Sequence, residues 1–100
     1  MILYNVTSSI EPTAAAAWVA YMRDVHMPDV MASGFFIKNQ LLRLLNEEDG
    51  GHTYAAQYYC LNLEQLDAYQ EHVAPALRAD LERRFAGQYA SFRTVLEVIE

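Results

Sequence analysis

His26 follows a run of helix formers that begins at Ala14, and it stands two residues before Pro28. A neutral imidazole facing a cavity at such a place can serve as a base near neutral pH. Counted along an α-helix, His26 lies eight residues beyond Trp18, about 80° round the axis. That is the rim of the stripe formed by Trp18, Tyr21, Met22 and Val25. The structural reading comes first: His26 hydrogen-bonds the last helical carbonyls and complements the helix dipole. Asp29 could orient His26, but it too is read first as a cap, for the turn after Pro28.

Asn5, Gln57 and Arg93 form a second group, one from each of three strands that neighbour one another in the expected sheet. Together they could bind a carboxylate or carbonyl, with Arg93 as the fixed charge. Their structural alternative is a hydrogen-bond network that sets register across an interface, since buried polar groups need partners whatever the function. Tyr54, Tyr58 and Tyr59 place phenols on both faces of one strand. Such a phenol can donate a proton or bind an oxyanion, although packing is its usual role. Cys60 reads as a small buried hydrophobe. His26, His52 and His72 have no metal-ligand spacing and there is no cysteine pair, so neither a metal nor a cofactor is expected. The acidic run Glu47, Glu48, Asp49 reads as a solvated hairpin tip rather than a calcium loop.

These side chains need elements to hold them. Residues 2–9 mix β-branched, aromatic and polar types as a strand does. Pro12 then suits a first helical turn, and Ala14 to Val25 follow as a helix that Pro28 should end or kink near His26. One more turn, 29–33, closes at Gly34 in a left-handed conformation. Phe35 to Leu45 read as a strand with a bulge or two buried faces, because its leucines fall on both parities. A hairpin at Asn46 to Gly51 leads into a strand from His52 to Leu61. Asn62 caps the next helix with Gln65 three residues on. Leu63, Leu66, Tyr69, Val73, Leu77 and Leu81 then make a stripe toward Phe85, kinked at Pro75 and stopped at Gly87. Tyr89 to Ile99 alternate as a last strand.

The order β-α-β-β-α-β gives an α+β, ferredoxin-like sandwich, with both helices on one face of a four-stranded antiparallel sheet. Alternation points Ile2, Tyr4, Val6, Tyr54, Ala56, Tyr58 and Cys60 at the helices, and we assign Ala90, Phe92, Thr94, Leu96 and Val98 to the same side. Asn5, Thr7, Thr53, Gln57, Tyr59, Tyr89, Ser91, Arg93, Val95 and Ile99 are then left on the open face. Its cheapest cover is the same face of a second copy, giving a two-fold homodimer.

At 100 residues the chain suits a single domain, 1–100, and 53% hydrophobic content makes it globular. A net charge of −6 argues against a nucleic-acid partner. RNA-recognition domains share this element order, but the basic-glycine start of their motif is missing at His52-Thr53. The longest apolar run, Ala14 to Met22, is too short to cross a bilayer. No Lys or Arg precedes Arg23, so no secretory signal and a cytoplasmic location are expected.

MILYNVT at the start, Trp18, His26-Met27-Pro28-Asp29-Val30-Met31 and Gly34-Phe35-Phe36 together resemble a family of short, uncharacterised bacterial proteins. Thr53-Tyr54-Ala55, Gln57-Tyr58, Tyr69, Ala74-Pro75, Phe85 and Phe92-Arg93-Thr94 extend the resemblance over essentially the whole chain. It implies a ferredoxin-like fold of the dimeric α/β-barrel kind, in a domain of unknown function with no catalytic residues to carry over. The wider superfamily includes cofactor-independent monooxygenases, lactone isomerases, and dehalogenating or haem-degrading enzymes. Some have a histidine near the end of the first helix, to which His26 is similar. A shared fold does not establish a reaction. The expectation is therefore a homodimer that binds a small molecule between sheet and helices, with His26, Asn5, Gln57, Tyr58 and Arg93 as candidate contacts. The alternative is a non-enzymatic structural or interaction module with a polar dimer interface.

Overall fold

The computed structural model describes residues 1–45 and 51–100. Of the expected hairpin at Asn46 to Gly51, all but Gly51 lies outside the described residues. The described chain runs through β1 (Ile2–Ile10), a short 3-10 turn (Pro12–Ala14), and α1 (Ala15–Tyr21). A π-helical turn (Met22–His26) leads into α2 (Met27–Ala32), followed by β2 (Lys38–Arg43) and β3 (Thr53–Cys60). Next come α3 (Leu63–His72), α4 (Ala74–Phe85) and β4 (Tyr89–Glu97). The strands form one antiparallel sheet in the order β2-β3-β1-β4, the ferredoxin-like arrangement, with the helices packed on one face. Among the described residues no helix is long and apolar enough to cross a membrane.

Several local expectations hold for the reasons that suggested them. The Asn62 side chain accepts from the Gln65 amide at 2.9 Å and starts α3, an interaction worth about 1 kcal/mol. Gly34 and Gly87 take φ of +82° and +74° where helices end, a region costly to residues with a Cβ. Pro75 opens α4 after Val73, so the long stripe is two helices rather than one. Leu66, Tyr69, Ala74, Leu81 and Phe85 bury its inner face.

Three expectations are corrected. Of the expected end or kink near His26, the helical path does not end at Pro28 but breaks register just before it, in the π turn. Met27 N–H bonds the carbonyl of Met22, five residues back, and this π register precedes the position whose amide proline lacks. The extra residue shifts the inward stripe by one: Trp18, Tyr21 and Met22 are followed inside by Met27 and Val30, while Val25 is turned out and 38% exposed. The second strand is shorter than 35–45, and neither of its faces is fully buried. It is a sheet edge, with Leu42, Leu44 and Leu45 exposed, and Phe36 enters the core from the segment before it.

The third correction concerns β4. Directly opposed residues share a face, and β1 pairs Tyr4 with Val95, Val6 with Arg93, Ser8 with Ser91 and Ile10 with Tyr89. Tyr89, Ser91, Arg93 and Val95 therefore lie on the helix side. Ala90, Phe92, Thr94 and Leu96, expected on the helix side, lie on the open face instead.

The core is aromatic at its centre. Tyr4, Phe36, Tyr58 and Tyr69 cluster with ring centroids 4.8–6.3 Å apart. Trp18, 1% exposed, packs on Tyr54 at 5.3 Å.

Candidate functional site

A cleft opens between the helix side of β1, β3 and β4 and four helical segments, α1, the π turn, α3 and α4. The sheet supplies Tyr4, Val6, Ser8, Ala56, Tyr58, Ser91 and Arg93 as its floor. Trp18, Met22 and His26 form one wall, and Tyr69, Arg78 and Leu81 form the other. Alternation along the strands brings Tyr4, Val6 and Ser8 to one side. The π turn does the same for the helix: by adding one residue after Met22, it turns His26 from the rim toward the face of Trp18.

The polar atoms here are unusually short of partners. Trp18 Nε1, His26 Nδ1 and Tyr58 Oη are buried without a hydrogen-bond partner, and they alone are so among the described residues. All three side chains line this one cleft. A buried polar group left unpaired costs about 1–3 kcal/mol, so three in one place call for an occupant, whether water or ligand. The cavity volume is about 30 Å³, enough for one or two waters.

Charge is distributed one-sidedly. Arg78 Nη2 and Arg93 Nε each donate to the hydroxyl of Tyr4 at 3.0 Å. Arg78 also donates to Gln70 Oε1, which fixes its direction. Among the described residues no carboxylate pairs with either guanidinium, and no Asp or Glu lines the cleft. Ser8 and Ser91 hydroxyls satisfy one another at 2.6 Å. Burial raises the Tyr58 phenol well above its ordinary value. It also pushes Tyr69 up to about 12, with a further contribution from Tyr4 and opposition from Arg78 and Arg93. Both phenols therefore remain protonated donors at neutral pH. His26 is shifted down, first by burial and then by Arg93, against an upward pull from Asp29. Its imidazole is neutral and can accept or donate at the wall of the cleft.

Of the candidate residues, the structure brings His26, Tyr58 and Arg93 together here. Asn5 and Gln57 lie on the opposite face of the sheet. There Gln40 Nε2 donates to Gln57 Oε1 at 2.9 Å, Gln57 Nε2 to Asn5 Oδ1 at 3.1 Å, and Asn5 Nδ2 to Thr7 Oγ1 at 2.9 Å. That chain of amides joins β2, β3 and β1 and is separated from Arg93 by the sheet itself. The sequence reading missed Tyr4, Trp18, Arg78 and the Ser8–Ser91 pair as site residues. The available signals were Arg78 three positions before Leu81, next to the inward stripe of α4, and Ser8 at a helix-facing position of β1.

A larger depression of about 460 Å³ lies at the end of the sheet, against Glu11, Pro12, His52, Gln88 and Tyr89. It contains none of the unpartnered buried atoms. The smaller cleft has the chemistry that the larger lacks.

The family DUF4286, a domain of unknown function, matches residues 1–99. The chain belongs to this family. No curated protein sequence matches. Among solved structures, a dimeric ferredoxin-like protein from an uncultured marine organism superposes with a TM-score of 0.75 at 11% identity, covering 100% of this chain and 96% of that one. HapK from Hahella chejuensis has a TM-score of 0.73 at 15% identity, covering 99% and 93%. SnoaB, a cofactor-independent oxygenase from Streptomyces nogalater, has a TM-score of 0.69 at 13% identity, covering 99% and 94%. At these identities the likeness is one of fold.

Proposed function

We propose that this DUF4286 protein is a homodimer of single ferredoxin-like domains that holds a small polar molecule in the cleft between sheet and helices. The observation that carries this reading is the convergence of three unpartnered buried polar atoms on one cleft flanked by two guanidiniums without carboxylate partners. A core serving packing alone has no use for such an arrangement, because each orphan weakens the fold. Neutral His26 on the cleft wall suits proton transfer to or from the occupant, and SnoaB is a cofactor-independent oxygenase on the same fold. Within this proposal His26, Tyr58 and Arg93 contact the ligand, whereas Asn5 and Gln57 order the dimer interface.

The dimer is supported by the open face. Its cross-sheet rows are Leu42–Ala55–Thr7–Phe92, Gln40–Gln57–Asn5–Thr94 and Lys38–Tyr59–Leu3–Leu96. Phe92 is 62% exposed, and Leu42 and Leu96 are also exposed, so apolar corners flank a central amide ladder. A second copy would bury them, and a fold relative is described as dimeric. The single thiol, Cys60, is buried and donates to the Asn62 carbonyl. We place the protein in the cytoplasm, which needs no disulfide.

An interaction module without a ligand is the second reading, favoured by the 30 Å³ volume of the cleft. Native mass spectrometry of freshly purified protein separates the two. The expected spectrum is a dimer with a discrete small adduct that is lost in Arg93→Met. A bare dimer, unchanged on adding cell metabolite extract, sinks the ligand reading, and a monomer sinks the account of the open face.

A further inference from the structure

Resting on the reading of this cleft as a ligand site, we infer that its ligand is a small organic carboxylate whose head group is held by Tyr4, Arg78 and Arg93. The argument is a count of donors against acceptors. Tyr4 Oη accepts from both arginines, at 3.0 Å each, so its own O–H is left to donate elsewhere. Each guanidinium carries five N–H donors in a planar fork. Arg93 spends one of them on Tyr4, and Arg78 uses its Nη2 on Tyr4 and Gln70. Trp18 Nε1 is a donor only, and Tyr58 remains protonated. Among the described residues no Asp or Glu lines the cleft to receive this excess.

A site built of donors takes a ligand built of acceptors. The planar forks match a carboxylate in geometry as well as charge. Trp18 and Tyr69, with Met22 and Leu81, make the remaining walls aromatic or aliphatic. Those walls favour an ion with an apolar body over inorganic phosphate, whose every side needs hydration or a donor. The cavity volume of about 30 Å³ admits the head group. Arg93 is exposed, so the cleft reaches solvent on its side and a carboxylate can enter there.

Trp18 is the only tryptophan and lines the cleft, so its fluorescence reports occupancy directly. The probes are acetate, benzoate and inorganic phosphate, with acetamide and benzamide as neutral isosteres, titrated into the full chain at low salt. The expected result is a saturable change with benzoate or acetate and none with either amide. Arg93→Met should weaken the carboxylate roughly tenfold while the far-ultraviolet circular dichroism stays that of wild type, with Arg93→Lys intermediate because charge remains without the planar fork. If the amides bind as well as the acids, the cleft is a ligand site but the carboxylate assignment fails. Phosphate binding in preference to either acid overturns it in the same way. If no probe changes the fluorescence up to about 10 mM and native spectra show bare protein, the ligand reading and this inference fall together.

Discussion

Arg93 on the edge strand donates through Nε to the hydroxyl of Tyr4 on the central strand, at 3.0 Å. Because Arg78 donates to the same oxygen from α4, one phenol oxygen gathers two cations that repel each other. Solvent on the exposed Arg93 side screens that repulsion, and the proposed carboxylate would relieve it further. The sheet edge, the second helix pair and the cleft are thereby tied to a single hydroxyl.

Tyr4→Phe removes that hydroxyl while keeping the ring that packs on Phe36, Tyr58 and Tyr69. We expect a loss of about 1 kcal/mol, below the usual range for bonds to charged donors because Arg93 can turn to water. A change of that size lowers the thermal midpoint by about 4–8 °C in a domain of this length. Urea denaturation with an unchanged slope but a lower midpoint is the expected record. No change in midpoint would show that the two arginine bonds contribute nothing net.

His26 makes stability depend on acid. Its folded value is depressed below the ordinary 6.5, chiefly by burial, with Arg93 lowering it and Asp29 opposing. As pH falls below 6.5 the unfolded chain takes up the proton first, so acidification favours unfolding until the folded value is passed. Above 6.5 neither state is protonated there and this contribution is constant. Carboxylates titrate as well, so the informative quantity is the stability gap between wild type and His26→Gln. That gap should move against wild type between pH 7.5 and 5.5; a constant gap would show that His26 titrates alike in both states.

His26 also shows where reading residues alone stopped short. The order of elements, the Asn62 cap and the helix ends at Gly34 and Gly87 are local: each depends on chemistry within a few residues of itself, and each appears as expected. The π turn is not local in that sense. One additional residue ahead of Pro28 moves Val25 outward and His26 inward, and a regular 3.6 period has no means of representing it. In β4 the more apolar parity, Phe92 with Leu96, is on the open face. The more polar parity, Ser91 with Arg93, faces the helices because the cleft is there. Alternation identifies two faces, but hydrophobicity identifies the inner one only when the inside holds nothing but core. Asn5 and Gln57 lie on the open face as alternation along β1 and β3 predicts, whereas Arg93, expected beside them, lies on the helix side opposite Val6.

Gly34 and Gly87 supply a test of backbone conformation free of packing. A Cβ built at either meets nothing within 4 Å, and both have positive φ. Alanine at either site should therefore cost about 1–2 kcal/mol through conformation alone. Asparagine, which tolerates the left-handed region better, should cost less at the same position. Equal losses for Ala and Asn in chemical denaturation would point to a crowded site instead of a strained one.

Phe92 tests the open face. It is 62% exposed, at the end of the row Leu42–Ala55–Thr7–Phe92. Its side chain contributes little to the core of its own chain, so Phe92→Asp should leave the fold of the protomer intact. Within the proposed dimer the same change buries charge against the partner copy, a penalty large enough to separate the chains. Light scattering after size exclusion should report a dimer for wild type and a monomer for Phe92→Asp at micromolar concentration, with superimposable far-ultraviolet circular dichroism. Gln57→Glu, in the middle of the amide ladder, should shift the same equilibrium, because two-fold symmetry doubles every introduced charge. A wild-type monomer, or a dimer indifferent to both substitutions, would move the interface away from this face. Tyr4, Arg78 and Arg93 lie on the other side of the sheet, so the cleft would keep its geometry in either case.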